Sequence, residues 1–400
     1  MKVVKLGEVV ELFNGSTPLK TKKAYWENGD IPWFTVDDLR DQGKYIRRTN
    51  KFITKLGLNE SSLCLIPEDA VLLCCTASVG AIAINKIMLT TNQQFNALVV
   101  RRPNELLVEY LYYWFLANMD ILKSLGRATT IDYVSMSKLR NLVFHLPSLE
   151  SQREIVEKLD SAFAEIELSY QKTTASLEFI SSCFDSFLDS ILQNQILKCG
   201  ESKLVEVLDI ARGGSPRPID QYLTSDENGV NWIKISDATS SKKYITETAQ
   251  KIRLDGVSRS RLVNPGDFLL SNSMSFGRPY IMRTTGCIHD GWLVLSNNKK
   301  LLNQDYLYYV LGSKYIYEQF NRAAAGSTVR NLNISLAGQV TFPVPDIETQ
   351  ESIVSRLIDL EESVDEFKES LTSKLNMLAE LKNSLLSSAF DLSVSSNAVV

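Results

Sequence analysis

Residues 147–156 of this chain read Pro147-Ser148-Leu149-Glu150-Ser151-Gln152-Arg153-Glu154-Ile155-Val156. Residues 345–354 nearly repeat them, as Pro345-Asp346-Ile347-Glu348-Thr349-Gln350-Glu351-Ser352-Ile353-Val354. Proline disfavours helix in the residue before it, so each proline marks the boundary before a helix. After Pro147 the next proline or glycine is Gly200, and residues 346–400 contain neither. Two long helices are therefore predicted to begin here, and Ser151 with Glu154 predicts a capping box at the first.

Both segments carry apolar residues at spacings of four and three, which is typical of an α-helical coiled coil. The first seam is Ile155, Leu159, Phe163, Ile166, Tyr170, Thr173, Leu177, Ile180, Phe184, Phe187 and Ile191. The second is Ile353, Leu357, Leu360, Val364, Phe367, Leu371, Leu375, Leu378, Leu381 and Leu385. A helix from Gln152 to Leu192 would be about 60 Å long. Because a lone helix must bury such a seam, we expect the two helices to pack antiparallel.

The whole chain is a tandem repeat in which Pro147 corresponds to Pro345. Three further correspondences are Gly15-Ser16-Thr17-Pro18 with Gly213-Gly214-Ser215-Pro216, Pro67-Glu68-Asp69 with Pro265-Gly266-Asp267, and Tyr110-Leu111-Tyr112-Tyr113 with Tyr306-Leu307-Tyr308-Tyr309. A period this long indicates a duplicated domain, because solenoid repeats are only about 20–50 residues. The predicted fold class is α+β: two α/β domains separated by an antiparallel coiled coil of two long helices, with a pseudo-two-fold relation.

Before each long helix, short apolar runs alternate with glycine, proline, asparagine and serine. This pattern predicts short strands and turns, with some helix, for example at 105–116. The predicted boundaries are 1–147 for the first α/β domain, 148–199 for the first long helix, 200–345 for the second α/β domain, 346–393 for the second long helix and 394–400 for a tail.

Charge is segregated along the chain, although the whole chain carries only −4. Residues 1–150 carry a net charge of +3 and residues 201–345 carry +4, whereas residues 151–200 carry −4 and residues 346–400 carry −7. The two acidic blocks are the long helices, and we interpret their charge as a solvated outer face. The two basic blocks can face phosphate, which would repel the acidic ones.

Several classes of function are excluded by what the sequence lacks. The six cysteines form no C-x-x-C pair and there are only two histidines, His145 and His289, so no metal site is predicted. No phosphate-binding P-loop or dinucleotide fingerprint is present. No apolar run reaches the roughly 18 residues of a membrane span, and the first ten residues do not resemble a secretion signal. We therefore expect a non-catalytic, cytoplasmic protein.

A pair of basic domains held apart by a helical rod imitates a DNA-reading dimer, whose two readers lie about 34–36 Å apart on the duplex. Cations supply affinity by contacting phosphate. The phosphate candidates are Lys20, Lys22, Lys23, Lys44, Arg47, Arg48, Arg212, Arg217, Lys242, Lys243 and Arg330.

Base reading requires polar side chains that reach a groove. The best candidates follow the apolar strand after each Pro-x-Asp turn, where a polar loop ends in Gly80 or Gly277. Glycine allows a close backbone approach, although it also suits a purely structural turn. Asn and Arg are the usual bidentate readers of adenine and guanine. The base-reading candidates are Thr76, Ser78, Asn272, Ser273, Ser275 and Arg278.

Two further polar loops are weaker candidates for base reading. They are Asn92-Gln93-Gln94-Phe95 in the first copy and His289-Asp290-Gly291-Trp292 in the second. Phe95 and Trp292 are at least as well explained as core residues.

A variable domain followed by a helix that opens with Pro-x-x-Glu-x-Gln-x-x-Ile-Val, both repeated, resembles the specificity subunit of type I restriction-modification systems. The opening Lys5-Leu6-Gly7-Glu8-Val9 also fits that family, and the resemblance covers essentially the whole chain. One departure is Pro67-Glu68-Asp69, where the family would have Pro-Gly-Asp.

The resemblance implies that each variable domain is a target-recognition domain for one half of a bipartite, asymmetric site in double-stranded DNA. It implies that the helices measure the unread spacer and bind methyltransferase subunits, while a separate restriction and translocation subunit supplies cleavage. S-adenosylmethionine, ATP and magnesium would be bound by those partners, and this chain would bind no cofactor. The alternative interpretation is a coiled-coil scaffold that joins two protein-binding domains and has no salt-dependent affinity for DNA.

Overall fold

The computed structural model describes residues 2–76, 80–126, 134–241, 243–272, 277–297, 300–324 and 332–391. The chain divides into two compact units. Unit 1 comprises Met1–Thr173 with Ser373–Val400, and unit 2 comprises Thr174–Thr372. Each unit therefore contains one α/β domain together with part of each long helix.

The long helices span Leu149–Cys199 and Ile347–Phe390. With 51 and 44 residues they are about 77 Å and 66 Å long at 1.5 Å per residue. Their bounds lie within three residues of the predicted 148–199 and 346–393. The predicted capping box at Ser151 is wrong, since the first helix begins two residues earlier and Ser148 Oγ accepts the Ser151 N–H at 3.3 Å.

Unit 1 combines short helices with a sheet buried on both faces. The order of strands in this larger sheet is Val10–Asn14, Phe95–Val100, Ala70–Cys74, Ile82–Asn85 and Tyr45–Ile46. A smaller sheet has the order Lys51–Ile53, Ile31–Phe34 and Thr90–Thr91, and Lys2–Lys5 pairs with Val143–Leu146. The short helices are Leu6–Val9, Val36–Gln42, Lys55–Glu60, Val108–Ala117, Met119–Gly126 and Met136–Arg140, with a 3-10 turn at Lys23–Tyr25.

Unit 2 repeats this arrangement. Its larger sheet has the order Asp209–Arg212, Trp292–Ser296, Phe268–Ser271, Pro279–Met282 and Tyr244–Ile245. A second sheet has the order Leu223–Thr224, Gln250–Ile252, Val230–Ile233, Gly286–Ile288 and Arg261–Val263, and Ser202–Lys203 pairs with Thr341–Phe342. Its helices are Leu204–Val207, Ile235–Ser240, Leu254–Val257, Gln304–Gly312, Lys314–Ala324 and Ile334–Gly338, with a 3-10 turn at Ile219–Gln221. The shared strand order confirms the predicted duplication.

The core of each unit lies on both faces of its larger sheet. In the strand Ala70–Cys74 every residue is buried, and alternate side chains point to opposite faces. Leu73 packs towards Leu111 of the helix Val108–Ala117, whereas Leu72 packs towards Phe34. A strand covered on both faces reads as a continuous apolar run, which is why its sequence shows no alternation.

The backbone register corrects one predicted correspondence. The Asp69 N–H donates to the Asn85 carbonyl at 2.9 Å, and the Gly266 N–H donates to the Met282 carbonyl at 2.9 Å. Asp69 therefore takes the place of Gly266, with φ of 60° against 96°, and the prediction that Glu68 replaces the glycine is wrong. Aspartate is one of the few non-glycine residues that tolerates this left-handed conformation.

The two long helices pack against each other in opposite directions, as predicted. In unit 1, Lys382 Nζ near the end of the second helix lies 4.9 Å from the ring centroid of Phe163 near the start of the first. In unit 2, Arg356 Cζ near the start of the second helix lies 5.4 Å from the ring centroid of Phe187 near the end of the first. The start of each helix therefore lies beside the end of the other.

The predicted seam is only partly buried. Leu159, Thr173, Leu357 and Val364 are buried, but Phe367 is 62% exposed. After Val364, the inner face continues through residues 368 and 371, because a helix of 3.6 residues per turn places either the third or the fourth following residue on a given face. Placing Phe367, Tyr170 and Leu381 in the interface was wrong, since all three are exposed.

A buried glutamine joins each long helix to the domain before it. Gln152 is fully buried; its Nε2 donates to the carbonyls of Glu105 at 2.8 Å and Pro147 at 3.0 Å, and its Oε1 accepts the Leu107 N–H at 2.8 Å. Gln350 makes the same three kinds of bond in unit 2, with Leu301, Pro345 and Asn303. The glutamine of the repeated Pro-x-x-Glu-x-Gln stretch is therefore a structural tie.

Across the described ranges, no helix is both long enough and apolar enough to cross a bilayer.

Candidate nucleic-acid interface

In each unit a glycine turn packs against the second polar loop. We define the glycine turn as 15–18 in unit 1 and 213–216 in unit 2, and the second polar loop as 92–95 and 289–292. The Gly15 N–H donates to the Phe95 carbonyl at 3.1 Å, and the Gly213 N–H donates to the Trp292 carbonyl at 2.9 Å. A Cβ at either glycine would lie 2.0 Å from the carbonyl oxygen at the start of the loop, so only glycine fits.

The described ends of the first polar loop, 75–80 in unit 1 and 272–277 in unit 2, lie beside the second polar loop. The Cys75 N–H donates to the Gln94 carbonyl at 2.8 Å, and the Asn272 N–H donates to the Gly291 carbonyl at 3.0 Å. Gly80 and Gly277 close this loop with φ of 103° and 83°. In each unit the glycine turn and both polar loops therefore meet at one end of the larger sheet.

The structure describes only some of the predicted base-reading residues. Arg278 is exposed and Thr76 is half-buried, with no hydrogen-bond partner for its Oγ1 among the described residues. Asn272 is only 1% exposed, and its Nδ2 donates to the Asp290 carbonyl at 3.0 Å. This placement argues against base contact by Asn272, because the amide already bonds inside the loop cluster. The predicted residues Ser78, Ser273 and Ser275 lie outside the described residues.

Most of the described phosphate candidates are available at the surface. Lys20, Lys23, Arg47, Arg48, Arg212 and Arg217 are exposed. Lys22 is half-buried between Glu60, 2.5 Å away, and the Tyr25 hydroxyl, 2.9 Å away. The candidates Lys242 and Arg330 lie outside the described residues.

Two of the lysines predicted to contact phosphate lie instead among tyrosines. The Lys44 side chain is 18% exposed, pairs with Asp160 of the first long helix and lies 4.4 Å from the Tyr113 ring centroid. The Lys243 side chain is 20% exposed, pairs with Asp305 at 2.7 Å and lies 4.7 Å from the Tyr308 ring centroid. Because both lysine side chains are largely buried as well as paired with a carboxylate of the chain, their placement argues against phosphate contacts by either lysine.

The tyrosines around Lys44 are held in their neutral form. Burial is the main cause that raises the pKa of Tyr45 and of Tyr112 to about 12. Burial, reinforced by a hydrogen bond to Asp160, also raises the pKa of Tyr113. Tyr45, Tyr112 and Tyr113 are therefore neutral at pH 7.

Asp290 is the centre of the loop cluster in unit 2. Its Oδ1 accepts the Ser215 hydroxyl at 2.7 Å, its Oδ2 accepts Arg217 at 3.4 Å, and its backbone carbonyl accepts Arg212 Nε at 3.0 Å. The Ser215 hydroxyl holds the pKa of Asp290 below its usual value. The carboxylate is therefore charged at neutral pH, and its side chain is still 44% exposed.

His289, the residue before Asp290, is neutral at pH 7. Burial lowers the pKa of His289, and its Nδ1 accepts the Gly291 N–H at 2.8 Å. With Nδ1 occupied as an acceptor, the proton lies on Nε2, which can donate.

Unit 1 has the same backbone with different side chains. Thr17 takes the place of Ser215 and Gln93 that of Asp290, and the Thr17 hydroxyl donates to Gln93 Oε1. Sequence reasoning ranked these second polar loops below the first ones. Their nearly equal spacing from the glycine turn, 77 residues from Gly15 to Asn92 and 76 from Gly213 to His289, is the signal in the sequence that singles them out. Phe95 and Trp292 are both fully buried, which confirms them as core residues.

The loop cluster of unit 2 borders a groove with a volume of about 920 Å³. Its lining combines apolar groups with donors and acceptors, and includes Pro216, Arg217, Trp232, Lys234, His289 and Asp290. Such a surface can bind a partner that carries hydrogen-bonding edges and negative charge. In the described part of the chain, no group of three or more His, Cys, Asp or Glu residues could hold a metal ion.

The chain belongs to the family of type I restriction-modification DNA specificity domains. The family model described as "Type I restriction modification DNA specificity domain" matches residues 1–178 and again residues 198–377. These two matches cover most of the chain, and they follow the duplication seen in the fold.

Curated relatives are specificity subunits of type I restriction enzymes. The chain is 35% identical over 182 residues to the MjaIX specificity subunit of Methanocaldococcus jannaschii, covering 45% of this chain and 41% of that relative. It is 31% identical over 163 residues to the EcoR124I/EcoR124II specificity subunit of Escherichia coli, covering 39% of each. The MjaVIII specificity subunit of M. jannaschii aligns over 395 residues, 91% of this chain and 87% of the relative, at 22% identity.

Two solved structures share the fold. One, from work on complex assembly and conformational transition of the type I R-M system, has a TM-score of 0.75 and 19% identity over 97% of each chain. The HsdS subunit of Thermoanaerobacter tengcongensis has a TM-score of 0.61 and 18% identity, covering 97% of this chain and 96% of that one. The predicted α+β fold with paired long helices is therefore confirmed.

Proposed function

We propose that this chain reads a bipartite, asymmetric DNA site for a type I restriction-modification complex, with one half-site for each unit. The observation that carries the proposal is the loop cluster, in which the described residues make the same backbone hydrogen bonds in both units but carry different side chains. Because the two units hold their loops in the same way, a difference in side chain between Gln93 and Asp290 would make the two units prefer different DNA sequences. Exposed cations near each cluster, including Lys20 in unit 1 and Arg217 in unit 2, would supply the phosphate contacts.

The long helices supply the surfaces that we propose recruit methyltransferase subunits and the restriction and translocation subunit. In unit 1, Leu168 and Met377 are 52% and 57% exposed. In unit 2, Phe179 and Phe367 are 68% and 62% exposed. Large apolar side chains at the surface of helices indicate protein partners when several lie on the same elements.

Catalysis belongs to those partners in this proposal. S-adenosylmethionine would be bound by the methyltransferase subunits, and ATP with magnesium by the motor and nuclease subunit. Pure chain incubated with S-adenosylmethionine, ATP, magnesium and DNA should neither methylate nor cleave the DNA. Either activity without added subunits would contradict the non-catalytic assignment.

The decisive experiment reconstitutes the chain with its methyltransferase subunits and selects bound fragments from randomised double-stranded DNA. We expect a consensus of two different short blocks separated by an unread spacer. Replacing residues 1–147 by those of a relative should change one block only. A complex that binds DNA without any sequence preference would refute the proposal and favour a scaffold for protein partners.

Salt dependence separates the cations of the domains from those of the helices. Arg48→Ala removes an exposed cation of unit 1, and Lys158→Ala removes an exposed cation of the first long helix. If Arg48 contacts one phosphate, its removal should reduce the slope of log K against log salt by about 0.9, whereas Lys158→Ala should leave the slope unchanged. Equal slopes for both variants and the original chain would exclude Arg48 from the interface.

A further inference from the structure

The two loop clusters differ in chemistry at one equivalent position. Gln93 and Asp290 each follow the first residue of a second polar loop, and the glycine turn fixes both loops by the same backbone bonds. The Ser16 N–H donates to the Thr91 carbonyl at 3.0 Å, and the Gly214 N–H donates to the Ile288 carbonyl at 3.1 Å. The two side chains therefore leave the scaffold from the same place.

Each of the two side chains is oriented by a hydroxyl of the glycine turn. The Thr17 hydroxyl donates to Gln93 Oε1, and the Ser215 hydroxyl donates to Asp290 Oδ1 at 2.7 Å. These bonds orient the side chains and leave other hydrogen-bonding groups on them unused. Gln93 keeps its amide donors and a second acceptor site, and Asp290 keeps acceptor sites on both oxygens.

A charged carboxylate is unexpected on a surface that binds DNA phosphate. Asp290 lies among cations, since Arg217 and Arg212 both bond to it, and its side chain nevertheless remains 44% exposed. A carboxylate repels phosphate, so a role in affinity alone does not account for it. It does fit a base edge that offers only a donor.

In the major groove, cytosine offers its amino group as a donor, whereas adenine places the N7 acceptor beside its amino group. A carboxylate can only accept, so it suits cytosine better than adenine. A carboxamide both donates and accepts, which suits the bidentate edge of adenine. The side chains at the equivalent position therefore correspond to different bases.

We propose that Asp290 and Gln93 are specificity-determining residues at equivalent positions of the two units. Asp290 accepts a hydrogen bond from a cytosine amino group, and Gln93 pairs with the amino and N7 groups of an adenine. This inference rests on the proposed function, because it assigns the reading of one base pair in each half-site. Thr17 and Ser215 act as positioning residues.

The test is selection from randomised DNA by the complex of the chain with its methyltransferase subunits. Asp290→Asn should reduce the preference for cytosine at one position of one block by about 10- to 100-fold, and leave the other block unchanged. Gln93→Glu should weaken an adenine preference in the other block and move it towards cytosine. Ser215→Ala should weaken the same position as Asp290→Asn, and no other position.

The matched control is Glu227→Gln, which removes one exposed carboxylate from the same unit outside the loop cluster. It should change no base preference. If Asp290→Asn fails to fold, Asp290→Glu keeps the charge but moves it by one methylene group, and should also lower the cytosine preference.

The outcomes separate this inference from the proposed function. A split consensus that Asp290→Asn and Gln93→Glu leave unchanged, or weaken evenly at every position, would overturn the inference and leave the proposed function intact. A wild-type complex without any consensus would overturn both.

Discussion

Replacing Gln152 by alanine should destabilise unit 1 strongly, although the residue touches neither loop cluster. Its side chain is fully buried and makes three hydrogen bonds, to the carbonyls of Glu105 and Pro147 and from the N–H of Leu107. These partners flank the helix Val108–Ala117 and the start of the first long helix. Alanine can make none of these bonds.

The size of the loss follows from the groups left behind. The Leu107 N–H alone, left unpaired in the interior, costs about 1–3 kcal/mol. The buried methylene group that alanine lacks adds about 0.8 kcal/mol. With partial compensation at the two carbonyls by water, the free energy of unfolding should fall by about 2–4 kcal/mol, which is a large part of the 5–15 kcal/mol typical of a domain.

Urea unfolding followed by tryptophan fluorescence and circular dichroism measures this loss. Trp114, in the same core cluster as Leu159, reports on unit 1. The control is Gln171→Ala on the same helix, where an exposed amide donates to Glu167 Oε1 at 3.0 Å, so its effect should stay within about 0.5 kcal/mol. Gln350→Ala should reproduce the loss in unit 2.

A charge variant separates hydrogen bonding from packing. Gln152→Glu keeps the side-chain size and the bond from Leu107, but places a carboxylate oxygen beside the carbonyls of Glu105 and Pro147. That carboxyl must protonate to fit, so the variant should lose stability as the pH rises above the usual glutamate range. If Gln152→Ala and Gln171→Ala shift the urea midpoint equally, the view of Gln152 as a structural tie is refuted.

Two further predictions concern stability. Burial raises the pKa of Tyr112 to about 12. The stability that its neutral form contributes should be fully present below the unfolded pKa near 10 and lost as the pH rises from 10 to 12. Tyr112→Phe should therefore make the urea midpoint fall less steeply over that pH range, and an unchanged fall would contradict this prediction. Gly213→Ala would bring a Cβ to 2.0 Å from the His289 carbonyl oxygen and should lower the free energy of unfolding in urea by at least about 2 kcal/mol. In the control Gly312→Ala, the nearest described atom would lie 3.8 Å from the new Cβ, so the loss should stay within about 0.5 kcal/mol. Equal losses for the two variants would show that the glycine turn is not tightly packed.

The sequence was sufficient to predict the duplication and the long helices, because both depend on patterns that repeat along the chain. Pro147 and Pro345 locate the helix starts within two residues of Leu149 and Ile347. The end of the first helix at Cys199 agrees with the predicted bound, because Gly200, with φ of 73°, is the first glycine after Pro147 and ends the helix.

The positions of individual charges could not be predicted, because they depend on contacts distant in sequence. Lys44 looks like any other surface cation beside Arg47 and Arg48, yet it pairs with Asp160 in a different element. Asn272 has the residue type of a base reader, but its neighbours in space make it an internal bond of the cluster. Residue type and local spacing therefore predict which loops carry polar side chains, but not which of those side chains already bond inside the protein.

The second polar loops differ in chemistry between the two units, although the glycine turn holds both by the same backbone bonds. The positions that hold the scaffold are the same or similar in both copies, as Gly15 and Gly213 show by their equal approach of 2.0 Å to a carbonyl oxygen. A position can vary more freely where its side chain lies outside the buried core and reaches solvent. Gln93 and Asp290 satisfy that condition, since a hydroxyl orients each of them and solvent still reaches both. If each unit reads one half-site as proposed, duplication of one scaffold followed by change at such positions would be enough to give two different half-sites.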